Sequence, residues 1–187
     1  MGIFDKLKNV ANDAVNAVSS ATSNTKETFT FAALPESLAE LQALPEASLD
    51  SPFKTAALSV CALCAYGADK QIGIEMLNWL RGPRPLSNYD LSFLNDRFRD
   101  GHHVIFSYFS GARPDNNYTP DQPFMLTIEA GPYADANPGY KKLHIRSGGA
   151  DNPREIVLRR TGEGKWFLWD QFLLVSIRPP KSADPWA

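Results

Sequence analysis

A change of apolar period near Gly101 constrains this fold more than any other feature of the sequence. Up to Phe98 the apolar residues recur at helical spacing; from Val104 to Trp169 they alternate at strand spacing. A helical half therefore precedes a run of short antiparallel strands. The expected fold class is α+β: three core helices packed on one face of a four- to five-stranded antiparallel meander, with an N-terminal amphipathic helix appended.

The helical half is punctuated. Asp50 or Ser51 can N-cap a helix from about Pro52 to Tyr66, with Pro52 in the first turn, where its missing N–H costs nothing. Gly67 is its expected C-cap. This helix is apolar nearly all round (Phe53, Ala56, Ala57, Leu58, Val60, Cys61, Leu63), which marks a central core helix. Asp69–Leu80 predicts a second helix burying Ile72, Met76, Leu77 and Leu80 and ended by Gly82. Pro83 and Pro85 hold the following link extended. Ser87 caps a third helix with Asp90 in a capping-box position, and that helix buries Leu91, Leu94 and Phe98. Ahead of these, Thr28–Phe31 reads as a short strand and Pro35–Leu44 as a weak helical turn.

In the second half Val104–Phe109, Phe124–Ile128, Leu143–Ile145, Ile156–Leu158 and Trp166–Leu168 read as strands, and Thr161-Gly162-Glu163-Gly164 as a hairpin turn. Thr127, Glu129, Lys142, His144, Arg146, Glu155 and Arg159 fall on a wet face. Phe167 and Trp169 make both faces of the last strand apolar, and Phe172–Ile177 is expected to cover that side. The resulting division is residues 1–24 (amphipathic helix and linker), 25–178 (one α+β domain) and 179–187 (extended tail).

Ile3, Leu7, Val10, Ala14, Ala17 and Ala21 line one face of the N-terminal helix, a thin stripe that turns Ala-rich toward its end. Three fates compete: fraying or lying on its own domain, self-association through the stripe, and membrane-surface binding. The last ranks lowest because Asp5 and Asp13 cancel Lys6 and Lys8. The same charges interrupt any signal-peptide core. Two cysteines make no disulfide scaffold, so a reducing cytoplasm is the expected compartment. A formal net charge of −2 supplies no global field for nucleic acid.

Chemistry-bearing residues are few. Cys61 and Cys64 form a Cys-x-x-Cys, but late in an apolar helix rather than at a helix N-terminus, so they read as buried filling. With no second cysteine pair, neither a zinc site nor any other metal or cofactor is expected. Arg81-Gly-Pro-Arg84-Pro-Leu-Ser87 sets two guanidinium groups on a stiff loop beside a helix N-terminus, an arrangement suited to a carboxylate or phosphate. The plain alternative is that Arg81 caps its helix and Arg84 pairs with Asp90 or Asp96. His102 and His103 open the strand half; either could act as acid or base, or simply satisfy a helix end. The cluster Trp166, Phe167, Trp169 and Phe172 is core or, if uncovered, an interaction patch on which Trp186 could dock.

The stretches GPRPLSNYDLSFLNDRF, KWFLWDQFLL and SADPWA, with the MGIFDKLKN opening, resemble an uncharacterised bacterial family of gut-type Firmicutes, a domain of unknown function. The likeness spans essentially the whole chain. It implies a bacterial, intracellular protein and transfers no activity, ligand or catalytic residue.

No nucleophile–base set is legible. The leading expectation is a non-catalytic binding or assembly module, with a homo-oligomer or protein partner engaged through the N-terminal helix or through Phe167, Trp169 and Trp186. The rival is an anionic-ligand site, or an enzyme, using Arg81, Arg84, Ser87 and His102 or His103.

Overall fold

The computed structural model describes residues 25–99 and 101–186. The predicted helix Gly2–Ala21 lies outside the described residues. Strands β1 (Thr25–Phe31), β2 (Phe124–Ala130), β3 (Tyr140–Ile145), β4 (Arg154–Arg160) and β5 (Trp166–Gln171) form one five-stranded sheet in sequential order, every neighbour antiparallel. The fold is therefore α+β, as the change of period predicts.

Alternation sorts the two faces. Phe29 and Phe31, Leu126 and Ile128, Leu143 and Ile145, and Ile156 and Leu158 are buried under the helices. The opposite face is polar and laced with ion pairs, Lys26 to Glu129 at 2.9 Å and Lys142 to Glu155 at 3.1 Å.

Among the described residues five helices, rather than three, accompany the sheet: α1 (Leu38–Ala43), α2 (Pro52–Ala68), α3 (Lys70–Arg81), α4 (Asn88–Arg97) and the single turn α5 (His103–Phe106). Helix α2 is the centre of the molecule. Ser51 caps it, its hydroxyl accepting from Phe53 N at 3.2 Å, and Pro52 sits in its first turn. Ala56, Leu58, Val60 and Leu63 are all 0% exposed. Burying side chains such as Leu58 and Leu63 stabilises the fold by roughly 1.5–3 kcal/mol each. The buried hydroxyls are satisfied: Ser59 donates to Thr55 O at 2.7 Å, and Thr55 donates to Trp166 O at 2.9 Å, tying α2 to β5.

Three expectations are corrected. Val104–Phe109 is not a strand; it contains α5 and a turn, with Ile105, Tyr108 and Phe109 buried. An apolar run so dense carries no true alternation, and the long loop after it offers no room for a hairpin partner. The first strand starts at Thr25 rather than Thr28, because the polar residues Lys26 and Thr28 belong to its wet face. Gly67 does not cap α2. The helix continues to Ala68, and Asp69 both ends it and caps α3, accepting from Gln71 N at 2.8 Å and Ile72 N at 3.1 Å. Gly67 instead provides a close approach, since a Cβ there would lie 2.7 Å from His102 Cβ.

No helix among the described residues is long and apolar enough to cross a membrane.

Candidate functional site

The link between α3 and α4 is built to hold one shape. Gly82 ends α3 at φ +57°, a conformation that favours glycine, and the Phe167 ring lies so close that a Cβ would sit 2.6 Å from it. Arg81 is only 6% exposed and braces the loop from inside, donating through Nε to Arg84 O at 3.0 Å and reaching Asp90 Oδ2 at 3.5 Å. Ser87 completes the capping box on α4: its hydroxyl accepts from Asp90 N at 3.2 Å and donates to Asp90 Oδ2 at 2.7 Å. The helix N-terminus predicted as an anion seat is thus filled by the chain's own Ser87 and Asp90.

Desolvation pushes the Asp90 carboxyl up. Hydrogen bonds from Ser87 and the Arg81 and Arg84 guanidinium groups outweigh it and hold Asp90 below the usual carboxylate range. A folded-state value depressed in this way contributes stability above the unfolded carboxylate pKa of ~3.9 and loses it as pH falls through the folded value. Asp90→Asn is therefore expected to lower the urea midpoint at pH 7, with the difference from the parent chain shrinking below about pH 4. A difference that stays constant from pH 7 to pH 3 contradicts the assignment.

Arg84 leaves the loop outward. Its guanidinium carbon lies 4.3 Å from the Trp169 ring centroid, and Nη1 donates to Trp169 O at 3.1 Å. β5 is an edge strand, so this bond occupies a carbonyl that another chain could otherwise pair with. Trp169 itself is the extra residue of a β-bulge: Leu158 pairs with Leu168 and Val157 with Asp170. Its indole lies on the outer face, as alternation from the buried Leu168 dictates, and Tyr140 meets it edge-on at 5.4 Å. Arg159 lies 4.8 Å from both rings and hydrogen-bonds the Tyr140 hydroxyl. Arg160 stands 6.0 Å from the Trp166 ring.

A cleft of about 450 Å³ results, walled by Arg81, Arg84, Arg159, Arg160, Phe167 and Trp169. Among the described residues, no carboxylate lies within ion-pair distance of Arg84, Arg159 or Arg160. Their mutual repulsion is offset locally by the π faces of Trp169 and Tyr140.

The predicted site residues are only partly brought together. Arg81 and Arg84 share the cleft with Phe167 and Trp169. His102 packs on Gly67 and meets Phe106 at 6.5 Å; His103 stacks on Tyr118 at 5.7 Å. Neither histidine lines the arginine cleft. Trp186 is 93% exposed and does not cover Trp169, while Phe172 remains 45% exposed. Cys61 and Cys64 are buried, and burial pushes both thiols up, away from reactivity. Sequence reasoning placed Arg159 on the wet face but missed that it and Arg160 belong with Arg84. The signal was available in the Thr161–Gly164 hairpin, which sets Arg160 opposite Trp166 and Arg159 opposite Phe167.

The architecture defines a class: an α+β domain whose antiparallel meander carries an arginine-and-tryptophan cleft at one corner. A family model described as a domain of unknown function (DUF6935) matches residues 33–181, and the chain belongs to that family. No curated protein and no solved structure matches it.

Proposed function

We propose that this protein is a non-catalytic binding module whose ligand presents an anionic group, carboxylate or phosphate, to the cleft of Arg84, Arg159 and Arg160. The observation that carries this reading is the convergence of guanidinium groups that have no carboxylate partner among the described residues. Guanidinium forks recognise planar or tetrahedral oxyanions through paired N–H donors, and aromatic walls lower the local dielectric that would otherwise weaken them. The wall is otherwise Pro83, Thr161, Gly162, Leu168 and the two aromatics, so it offers charge and shape rather than a proton-transfer pair.

The test is thermal unfolding of the full chain in sodium pyrophosphate and in sodium citrate, each against sodium chloride at matched ionic strength. The expected result is a saturable rise in Tm; at a ligand concentration 100 times Kd it corresponds to about 2.7 kcal/mol. Arg84→Ala and Arg159→Ala are each expected to reduce it, and the double variant to abolish it. No anion-specific rise, or one unchanged in the double variant, overturns the reading.

A further inference from the structure

Trp169 also lines a second cleft, of about 370 Å³, whose lining includes no arginine. It lies between β3, β4, the end of β5 and the turn that joins β2 to β3. That turn is pinned to the sheet: Lys142 N donates to Ala134 O at 2.9 Å, and Ala134 is buried. The β-bulge shapes the opposite wall. Trp169 follows the buried Leu168, and Asp170 pairs with Val157, so two successive residues of β5 line the same cleft. Regular alternation would send them to opposite faces.

Four aromatic side chains face the cleft, Tyr133, Tyr140, Trp169 and Phe172, and none of them belongs to the buried core. Tyr133 is 78% exposed. Polar groups of both senses stand among them. Lys142 Nζ lies 3.1 Å from Glu155 Oε2, and an ammonium with three donors beside a carboxylate with several lone pairs leaves hydrogen-bonding capacity on each. Asp170 Oδ1 accepts from Gln171 N at 2.9 Å, whereas its Oδ2 and the side-chain amide of Asn137 have no partner among the described residues.

We infer that this cleft binds a neutral saccharide, one pyranose ring resting on the aromatic side chains with its hydroxyls on Asn137, Lys142, Glu155 and Asp170. Charge narrows the choice first. Glu155 and Asp170 oppose an anion. Lys142 opposes an organic cation, and so do the Arg84 and Arg159 guanidinium groups already 4.3 and 4.8 Å from the Trp169 ring. A wholly apolar ligand would strip water from Asn137 and Asp170 and return no hydrogen bond. Shape decides between the neutral polar ligands. Tyr140 and Trp169 meet at 83°, which makes a corner rather than the parallel-sided slot that a flat heteroaromatic base would fill. A pyranose suits a corner: the C–H groups on its faces meet the electron-rich faces of aromatic rings, and each hydroxyl on its rim both donates and accepts. The volume lies within the roughly 300–1,000 Å³ of small-molecule sites.

The inference does not rest on the anion cleft, and pyrophosphate or citrate results leave it untouched. Its test is an amide and indole N–H titration of the full nitrogen-15-labelled chain with methyl β-glucopyranoside, methyl β-galactopyranoside and methyl α-mannopyranoside. At least one is expected to give saturable shifts of the Trp169 indole and the Asn137 side-chain amide. The Trp186 indole, 93% exposed, should not move. Tyr133→Ala and Asp170→Asn change exposed side chains, so both variants should melt like the parent, and each should weaken that glycoside at least tenfold. Four outcomes overturn the inference: no saturable shift with any of the three glycosides; an equal response at Trp186; an affinity unchanged in both variants; or saturable shifts given by choline chloride or adenosine and by none of the glycosides, which assigns the cleft to a cation or a base.

Discussion

Leu63→Asp is expected to leave the chain unfolded at room temperature. Leu63 is 0% exposed, on the helix that packs against α3 and against β2 to β5. The substitution removes a buried isobutyl group worth roughly 1.5–3 kcal/mol and installs a carboxyl inside an apolar core, where Arg81, which lines a cavity with Leu63, is already paired with Asp90. A lone buried charge costs several kcal/mol more, or is protonated at a comparable cost. Domains have about 5–15 kcal/mol of total stability, so the sum consumes most or all of it. Circular dichroism and urea titration read the outcome. A cooperative melt close to that of the parent chain would refute the placement of α2 at the centre.

That placement was legible because so few of the residues from Phe53 to Ala65 could tolerate water. Helix ends were equally readable at Ser51 and Ser87, whose side chains accept the backbone N–H groups their positions predict, whereas Asp69, read as the first residue of its helix, is its cap. The sequence was ambiguous where local chemistry permits two answers. Val104 to Phe109 has apolar residues at nearly every position, and tertiary burial rather than period decides its shape. Gly67 looked like a terminus because glycine favours helix ends; it is instead the point where His102 crowds α2.

The candidate site shows the same boundary between local and long-range information. Arg81, Arg84 and Ser87 stand out because Gly82, Pro83 and Pro85 stiffen the loop that holds them. Arg159, Arg160, Tyr140 and Trp169 join them only through the β3–β4–β5 register, which a bulge at Trp169 interrupts. Strand alternation assigns faces but not neighbours across strands. The histidines were grouped with the arginines as the acid or base of one cleft, but His102 packs on Gly67 and Phe106 and His103 on Tyr118, away from that cleft.

Gly73→Ala is the second large effect, and its sign runs against helix propensity. Alanine in a helix interior is normally favoured over glycine by about 1 kcal/mol. Gly73, however, is buried where α3 crosses α2: a Cβ there would lie 2.5 Å from Tyr66 N and closer still to Tyr66 Cα. The obstruction is helical backbone, which no rotamer change can move aside. The two helices must separate, opening the contacts of Tyr66, Met76 and Leu77 that they share with the core. Overpacking of this kind costs typically 1–3 kcal/mol and more when backbone is involved, so a loss of about 3 kcal/mol is expected. For a chain of this length that is a fall in Tm of roughly 6–12 °C. Gly162→Ala is the control, because a Cβ there meets nothing within 4 Å; its stability should stay within about 0.5 kcal/mol of the parent. Equal melting temperatures for the two variants would mean that α2 and α3 do not cross at Gly73.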